Sequence, residues 1–477
     1  MAEIKTAPGF FDRTIQGLRG AWRGLAGWSD ASVPSDPDLS ERAERVRLVE
    51  RMEACLAARG GEVSARARAV DLGRYYLALS DKGRKRFLLR LAIQFGTDRK
   101  AVDAAVDRLS HAADDDARAA AEAELRDALE PSRVRLLRQF NALPEGTKFL
   151  VDLRADTMRF ARSEPALLPL DADLRRLLGN WFDIGFLELR RITWSSPASL
   201  LEKLGRYEAV HVVRGWQDLK NRLDSDRRCF AFFHPRMPDE PLIFVEVALV
   251  KGLASNVGTL LDAQAPSDDP ASADTAIFYS ISNAQRGLAG ISFGGFLIKR
   301  VVDQLSAEFP RLKTFATLSP IPGLREWAVK RLAENGGFAL TTAERKALNK
   351  ALARHEPPAK GDDAVLLKHA LALPGWHQDA PLAVAVEAPL LRLAATYLLK
   401  AKRKDGRALD PVAHFHLSNG ARVERLNWLG DTAKRGLDQS FGMMVNYAYR
   451  LPDIEANLEA YTGEGKIAAA SAVAGLI

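Results

Sequence analysis

A serine and a histidine in the second half of the chain have the residue types needed for acid–base or nucleophilic chemistry. Ser319 ends a short apolar run, and prolines at positions 320 and 322 fix the backbone after it. This pattern presents a serine at the end of a strand, although an ordinary turn would produce the same pattern. His416 follows His414 in a His-Phe-His-Leu stretch. Alternation along a strand would place both histidines on one face, where one of them could reach a cleft.

The glycine-bearing turn 283–290 is a candidate for binding an anion. It follows the apolar run 276–282 and precedes the amphipathic stretch 296–309, which has helical spacing. Free N–H groups and the dipole at the start of such a helix favour phosphate. The loop is similar to the pyrophosphate loop of the N-acetyltransferase (GNAT) superfamily, which holds the diphosphate of coenzyme A thioesters. A tight turn without a ligand would explain the same glycines.

A second motif overlaps this turn. Residues 290–294 match the G-x-S-x-G pattern of serine hydrolases, with Ser292 as the nucleophile. In those enzymes the serine directly follows a strand, whereas seven residues separate the apolar run 276–282 from Gly290. We therefore interpret Ser292 as a helix N-cap or first-turn serine.

Composition excludes several function classes. The 477 residues are enough for two or three domains. The only cysteines, Cys55 and Cys229, exclude a disulfide framework and a paired-CxxC zinc site, and they favour a reducing, cytosolic compartment. The net charge of +7 comes from short, scattered basic clusters, so we expect no nucleic-acid partner. No run approaches about 18 consecutive apolar residues, so we expect no membrane span. The two histidines lack a third ligand at a telling spacing, and we expect no metal.

Two types of periodicity divide the chain. Helical spacing of apolar residues recurs through 42–59, 70–79, 87–95, 101–129, 134–143 and 150–162. Short β-branched and aromatic runs then predict strands at 229–233, 242–250, 276–282 and 315–318, and a hairpin over 414–428 turned by Asn419-Gly420. Residues 325–400 are mostly helical in pattern. The prediction is an all-helical bundle over 1–187, followed by a mixed α/β domain over 188–477.

Several ordered stretches of the second half closely resemble the malonyl-CoA decarboxylase family. They include Leu-Ser-Pro-Ile-Pro-Gly at 318–323 and Asn-Tyr-Ala-Tyr at 446–449. The other matching stretches are 233–234, 240–242, 247–249, 278–282, 296–302, 415–417, 419–420, 425–428 and 435–436. Several long motifs in order are far more specific than any one loop. The resemblance continues, more weakly, into the first half of the chain.

The resemblance implies a helical domain used in oligomerisation and a GNAT-like catalytic domain that converts malonyl-CoA to acetyl-CoA and CO2 without a cofactor. It implies that Ser319 and His416 are catalytic, and it matches Tyr449 to a tyrosine near the family's site. The family's acyl-CoA loop corresponds to Ala289, Gly290, Ile291, Ser292, Phe293, Gly294 and Gly295. Animal members have a glutamate at the position of Ser292, which favours a bacterial member. We expect a cytoplasmic homo-oligomer, a dimer or a tetramer.

The chemistry of the reaction agrees with these residues. Loss of CO2 leaves negative charge on C2 and the thioester oxygen, so the site needs hydrogen-bond donors, for which Ser319 is suitable. A general acid with a pKa near neutrality must then protonate C2, and His416 is our choice. Few cations should surround the departing carboxylate, because pairing it would stabilise the ground state.

Three alternatives remain open from sequence alone. A serine thioesterase would use Ser292 or Ser319 with His416 and release free thiol. An N-acetyltransferase would need a channel for an amine acceptor. A non-enzymatic acyl-CoA-binding protein would return malonyl-CoA unchanged.

Overall fold

A computed structural model describes residues 33–57, 61–291, 294–334, 338–355 and 362–477, apart from the side chains of 61–63 and 294–296. Contacts within the chain define two compact units. The described residues up to Leu187, with His234–Leu242 and Gln285–Ile291, form the helical unit. The remaining described residues form the sheet unit. Two short segments of the second half therefore belong to the helical unit. The predicted division into 1–187 and 188–477 assigns both segments to the second domain.

The helical unit is built from amphipathic helices, as their apolar spacing predicts. They are Arg42–Leu56, Gly61–Ala78, Asp81–Gln94, Arg99–Ser110, Asp115–Leu129, Ser132–Asn141, Gly146–Ala161 and Leu168–Trp181. The segment 101–129, expected to be one continuous helical stretch, is two helices. The second of these begins at Asp114, whose side chain accepts the Ala117 N–H as an N-cap.

The sheet unit contains one eight-stranded mixed sheet. Its strands are β1 (Glu188–Ile192), β2 (Arg227–Phe233), β3 (Ile243–Val250), β4 (Thr275–Asn283), β5 (Thr314–Thr317), β6 (Ser319–Pro320), β7 (Arg422–Asn427) and β8 (Met444–Ala448). The order is β1-β2-β3-β4-β5-β8-β6, and β7 also pairs with β8. Among the strands that the structure describes, only β4 and β5 pair in parallel. The four predicted strands before residue 320 are confirmed, whereas β1, the two-residue β6 and β8 were missed.

The crossover between the parallel strands β4 and β5 contains the helix Gly294–Glu308. A parallel pair needs such a crossover, which is usually helical. The apolar face predicted for this helix is confirmed, because the residues that define it are fully buried: Leu297, Ile298, Val301, Val302 and Leu305.

Most of the region 325–400 is helical, as its pattern predicts. The sheet unit also contains the helices Ala198–Tyr207, Trp216–Asn221, Val257–Leu260, Leu324–Arg331, Thr342–Leu352, Asp363–Ala372, Ala380–Lys400, Pro411–Leu417, Lys434–Ser440, Ile454–Glu464 and Ser471–Ala474. Ala380–Lys400 is long and apolar enough to cross a membrane, which the sequence scan overlooked because Glu387 and Arg392 interrupt it. In its most apolar stretch of 18 residues, 61% is buried inside the protein, and the helix packs on neighbouring helices. We therefore assign it to the core.

The predicted hairpin over 414–428 is wrong in its first half. Residues Pro411–Leu417 form a helix, and only Arg422–Asn427 form a strand. The Asn-Gly pair ends this helix instead of turning a hairpin: the Gly420 N–H bonds the Leu417 carbonyl, and Gly420 has a φ of 76°. The two histidines are therefore placed by helical geometry, not by the alternation of a strand.

Candidate functional site

Ser319 lies on the face of the sheet opposite to a core cluster. Ala316 and Leu318 pack in that cluster with Met444 and Ala448. Because side chains alternate along a strand, Ser319 points to the other face. Its hydroxyl is buried and donates to Thr317 Oγ1 at 2.9 Å, and the Tyr447 N–H donates to the same oxygen at 3.1 Å. The serine thus has a fixed orientation before any ligand binds.

The helix Pro411–Leu417 brings His416 to this serine. Asp410 caps the helix, and Pro411 is its first residue. His416 Nε2 lies 3.2 Å from Ser319 Oγ, and Nδ1 lies 2.7 Å from the hydroxyl of Tyr449. Thr317, Ser319, His416 and Tyr449 therefore form one chain of hydrogen bonds, which we call the site cluster.

The polarity of this chain follows from its ends. Since Ser319 donates its proton to Thr317, its oxygen is free to accept the Nε2–H of His416. The hydroxyl of Tyr449 then donates to the unprotonated Nδ1. Burial raises the pKa of Tyr449, so it remains a neutral phenol.

His416 lies in an apolar, aromatic environment. The ring of Tyr447 stacks on the imidazole, with centroids 4.7 Å apart, and Phe415 lies against its edge. Burial lowers the pKa of His416 to about 3, because the charged imidazolium is disfavoured away from water. The imidazole is therefore neutral at pH 7, which differs from the near-neutral pKa expected of a general acid.

The loop predicted to bind acyl-CoA is described in part. Ala289, Gly290 and Ile291 belong to the helical unit, whereas Gly294 and Gly295 begin a helix of the sheet unit. Ser292 and Phe293 lie outside the described residues, and with them the G-x-S-x-G serine.

Backbone contacts hold the part of this loop in the helical unit. Arg154 donates to the carbonyl oxygens of Gly287 at 2.7 Å and Ala289 at 3.0 Å. A Cβ at Gly287 would lie 1.8 Å from the Val151 carbonyl oxygen, so this position requires glycine. Gly290 has a φ of 76°, and a Cβ there would lie 3.8 Å from the guanidinium carbon of Arg175. The structure thus contains a close-packed glycine turn beside two arginines.

Comparison with known proteins places the chain in a family. A model of the malonyl-CoA decarboxylase C-terminal domain matches residues 185–477, and a model of the malonyl-CoA decarboxylase N-terminal domain matches 95–182. The chain belongs to the malonyl-CoA decarboxylase family. The resemblance derived from the sequence motifs is thereby confirmed.

Relatives match this family member over nearly its whole length. Malonyl-CoA decarboxylase, mitochondrial, from Anser anser anser is 36% identical over 480 residues, covering 97% of this chain and 93% of the relative. The protein of the same name from Rattus norvegicus is 37% identical, covering 87% and 86%. The crystal structure of malonyl-CoA decarboxylase from Rhodopseudomonas palustris is 44% identical with a TM-score of 0.80, covering 90% of this chain and 98% of that one. The corresponding structure from Agrobacterium vitis is 42% identical, also with a TM-score of 0.80, and covers 90% and 99%.

The structure of this family member brings together three of the predicted site residues, Ser319, His416 and Tyr449. His414, the other candidate, instead bonds the Tyr461 hydroxyl at 2.8 Å, away from the cluster. Sequence reasoning missed Thr317, although its position two residues before Ser319 places it on the same strand face.

Sequence reasoning also missed the stacked Tyr447 and the buried Asp410. The missed signal for Asp410 was an aspartate directly before a proline, which is typical of a helix start. Among the residues that the structure describes, no group of three or more His, Cys, Asp or Glu side chains could hold a metal ion.

Proposed function

We propose that this chain decarboxylates malonyl-CoA, with Ser319, His416 and Tyr449 acting at the thioester end of the substrate. The observation that carries the proposal is the buried, uncharged chain of hydrogen bonds from Thr317 to Tyr449 in a member of the malonyl-CoA decarboxylase family. Malonyl-CoA has a carboxylate next to a carbon that is acidified by the thioester. The reaction therefore needs stabilisation of an enolate and one proton.

In the first step, the bond between C2 and the carboxylate carbon breaks. CO2 leaves, and the electron pair of the bond remains on C2 and the thioester oxygen. Hydrogen-bond donors in a water-poor site stabilise that developing charge most strongly. The Ser319 hydroxyl, now bonded to Thr317, and the Nε2–H of His416, now bonded to Ser319, are two donors of the site cluster, and turning them to the enolate oxygen would supply this stabilisation.

In the second step, C2 takes a proton and acetyl-CoA forms. The net reaction consumes one proton, which His416 supplies although it is neutral at rest. The negative charge that develops on the enolate beside the buried imidazole raises its pKa, so His416 takes up a proton as CO2 leaves and passes it to C2. Tyr449 suits both states, because its hydroxyl can donate to a neutral Nδ1 or accept from a protonated one.

We further propose that residues 289–295 bind the diphosphate of the coenzyme, as expected for a GNAT-like domain. The positive φ of Gly290 and the nearby Arg175 support an anion at this turn. An alanine at Gly290 is strained in that conformation. We expect Gly290→Ala to raise KM for malonyl-CoA several-fold with little change in kcat, measured by steady-state kinetics. An unchanged KM would contradict a role of this turn in binding.

The thioesterase alternative needs Ser319 to give its proton to His416. The hydrogen bond runs the other way, since Ser319 donates to Thr317. A nucleophilic triad also commonly has a carboxylate that orients the base, whereas Tyr449 occupies that place here. These two observations favour decarboxylation over acyl transfer to serine.

One assay separates the candidate functions. EDTA-treated protein is incubated with malonyl-CoA, and acetyl-CoA and free thiol are measured in the same sample. We expect acetyl-CoA without free thiol. Free thiol without acetyl-CoA would make the protein a thioesterase. If neither product forms, the protein binds acyl-CoA without converting it.

We also propose that the helical unit mediates self-association in the cytoplasm. The helices Arg99–Ser110 and Asp115–Leu129 pack against each other and bury only Ala105 and Ala121 among their residues. Val106, with 46% of its surface exposed, is apolar surface that a second copy of the chain could cover. Light scattering on the wild type and Val106→Asp tests this, with a smaller assembly expected for the variant. A monomeric wild type would contradict the proposal.

A further inference from the structure

The two central residues of the site cluster come from distant parts of the chain. Ser319 and His416 are separated by 97 positions, and yet their side chains lie 3.2 Å apart. Neither strand pairing nor a shared helix links the segment after Ser319 to the helix of His416. Some contact between these segments must therefore set the distance.

Asp410 makes that contact. Its side chain is fully buried, and one oxygen, Oδ1, accepts the N–H groups of Val412 and Ala413, both at 2.9 Å. His416 is three and four residues after these two, so it projects from the turn of helix that Asp410 holds. The carboxylate thus fixes the start of the short helix that carries the imidazole.

The same carboxylate holds the segment that follows Ser319. Tyr397 donates its hydroxyl to Oδ2 at 3.3 Å, and a Cβ at Gly323 would lie 3.8 Å from the same oxygen. Tyr397 comes from the buried helix Ala380–Lys400, so it adds a third element to the junction. Gly323 fits closely here: a Cβ would lie 2.2 Å from the Tyr397 hydroxyl oxygen.

These contacts close a ring. It runs from Ser319 along four residues to Gly323, across the carboxylate of Asp410, along the helix to His416, and back to Ser319. Resting on the proposed function, we propose that Asp410 is a positioning residue that sets the distance between Ser319 and His416. It acts through Gly323 on one side and through Val412 and Ala413 on the other.

Asp410→Asn tests this role with minimal change in shape. Asparagine is as good an N-cap as aspartate, so the helix keeps its cap. Its NH2 group, however, cannot accept the proton of the Tyr397 hydroxyl as Oδ2 does. We expect kcat to fall about 10- to 100-fold, since a misplacement of about 1 Å can have that effect. KM for malonyl-CoA should stay within about threefold, because the loop that binds the coenzyme is untouched.

Asp362→Asn is the matched control. Asp362 caps the helix Asp363–Ala372 through the Val365 N–H and has no part in the site cluster. Its kcat and KM should equal those of the wild type. A folded Asp410→Asn variant with wild-type kcat would overturn the proposal. So would a variant in which KM rises by as large a factor as kcat falls.

A second pair of variants decides the case if Asp410→Asn does not fold. Gly323→Ala brings a methyl group against the Tyr397 hydroxyl and should lower kcat about tenfold. Adding Tyr397→Phe removes the nearest atom and should restore part of kcat. Wild-type kcat in Gly323→Ala, or no recovery in the double variant, would contradict the ring.

The variants are scored on the product that the wild type forms. If the wild type releases free thiol instead of acetyl-CoA, the decarboxylase proposal fails. The role of Asp410 is then still decided by the kcat for thiol release, because Ser319 and His416 would serve that reaction too.

Discussion

Two of the buried polar clusters in the described part of the sheet unit differ in charge. The site cluster contains hydroxyls and one neutral imidazole. The other, which we call the ionic cluster, contains Asp218, Arg222 and Glu246, together with Glu208, Ser280 and Ser282. Arg222 donates to Glu246 at 3.2 Å and to Asp218 at 3.0 Å, and its side chain is buried. The ionic cluster contains charged side chains that compensate one another, whereas the site cluster contains no charged side chain.

This difference is what the proposed reaction requires. In the ionic cluster, every charge has an opposite partner or several N–H donors, so an added ion would disturb the balance. In the proposed reaction, the negative charge would develop on the enolate beside the site cluster, and His416 would respond to it by taking up a proton. A permanent cation beside His416 would bind the malonyl carboxylate and stabilise the ground state.

The largest effect should come from His416→Asn. Without the imidazole, the enolate loses its proton donor, and kcat for acetyl-CoA formation should fall about 10²- to 10⁴-fold. Chromatography of the products measures this loss. His414→Asn is the matched control on the same helix, and its kcat should be unchanged because His414 bonds Tyr461. Equal losses in both variants would mean that the helix, not His416, matters.

Arg222→Met should affect stability rather than chemistry. It leaves Asp218 without its cation and removes a hydrogen bond to Glu246, and breaking a buried ion pair costs about 3–5 kcal/mol of unfolding free energy. Urea denaturation measures this change. In Arg206→Met, which removes an exposed pair with Glu202, the loss should be below about 1 kcal/mol. An Arg222→Met variant as stable as Arg206→Met would show that the ionic cluster does not hold the fold.

Ser319→Ala removes one of the two donors proposed for the enolate. Loss of one such donor typically lowers kcat about 10²- to 10³-fold. Stability should fall by about 1–3 kcal/mol, since the buried Nε2–H of His416 loses its acceptor. Wild-type kcat in a variant that remains folded would remove Ser319 from the mechanism.

The smallest effect concerns the pH dependence of stability. Burial and the nearby Glu208 carboxylate raise the pKa of Glu246 to about 8, from 4.5. The folded state then binds more protons than the unfolded state between these values, so this group's stabilisation falls as pH rises from 4.5 through 8. His416 has the opposite sign: its stabilisation is complete above pH 6.5 and is lost as pH falls towards 3.

Melting curves of the wild type and Glu246→Gln between pH 6.5 and 8 isolate the first of these groups. The wild type should lose more stability over this window than the variant. Parallel curves for the two proteins would mean that Glu246 is ionised in the folded state. Below pH 6, the same comparison between the wild type and His416→Asn tests the second group.

Most of the secondary structure followed from local pattern. The helices of the first half and the strands β2 to β5 have strong periodicity, and their apolar residues are buried where that periodicity places them. The failures lie where local signals were short. In 411–417, helix-start and helix-end signals enclose only seven residues, and Asn419-Gly420 suits a helix end as well as a hairpin. β8 was missed because its five residues are buried on both faces and do not alternate.

The sequence by itself determined the family, the two kinds of architecture and the identity of the central residues, because ordered motifs and periodicity are local properties of the chain. Only the tertiary structure decided how those residues meet. The distance between Ser319 and His416, the partner at each imidazole nitrogen and the pKa of about 3 all depend on contacts across many positions and on exclusion of water. The physical reason is that a pKa and a hydrogen-bond geometry belong to an environment, and the chain acquires that environment only when it folds.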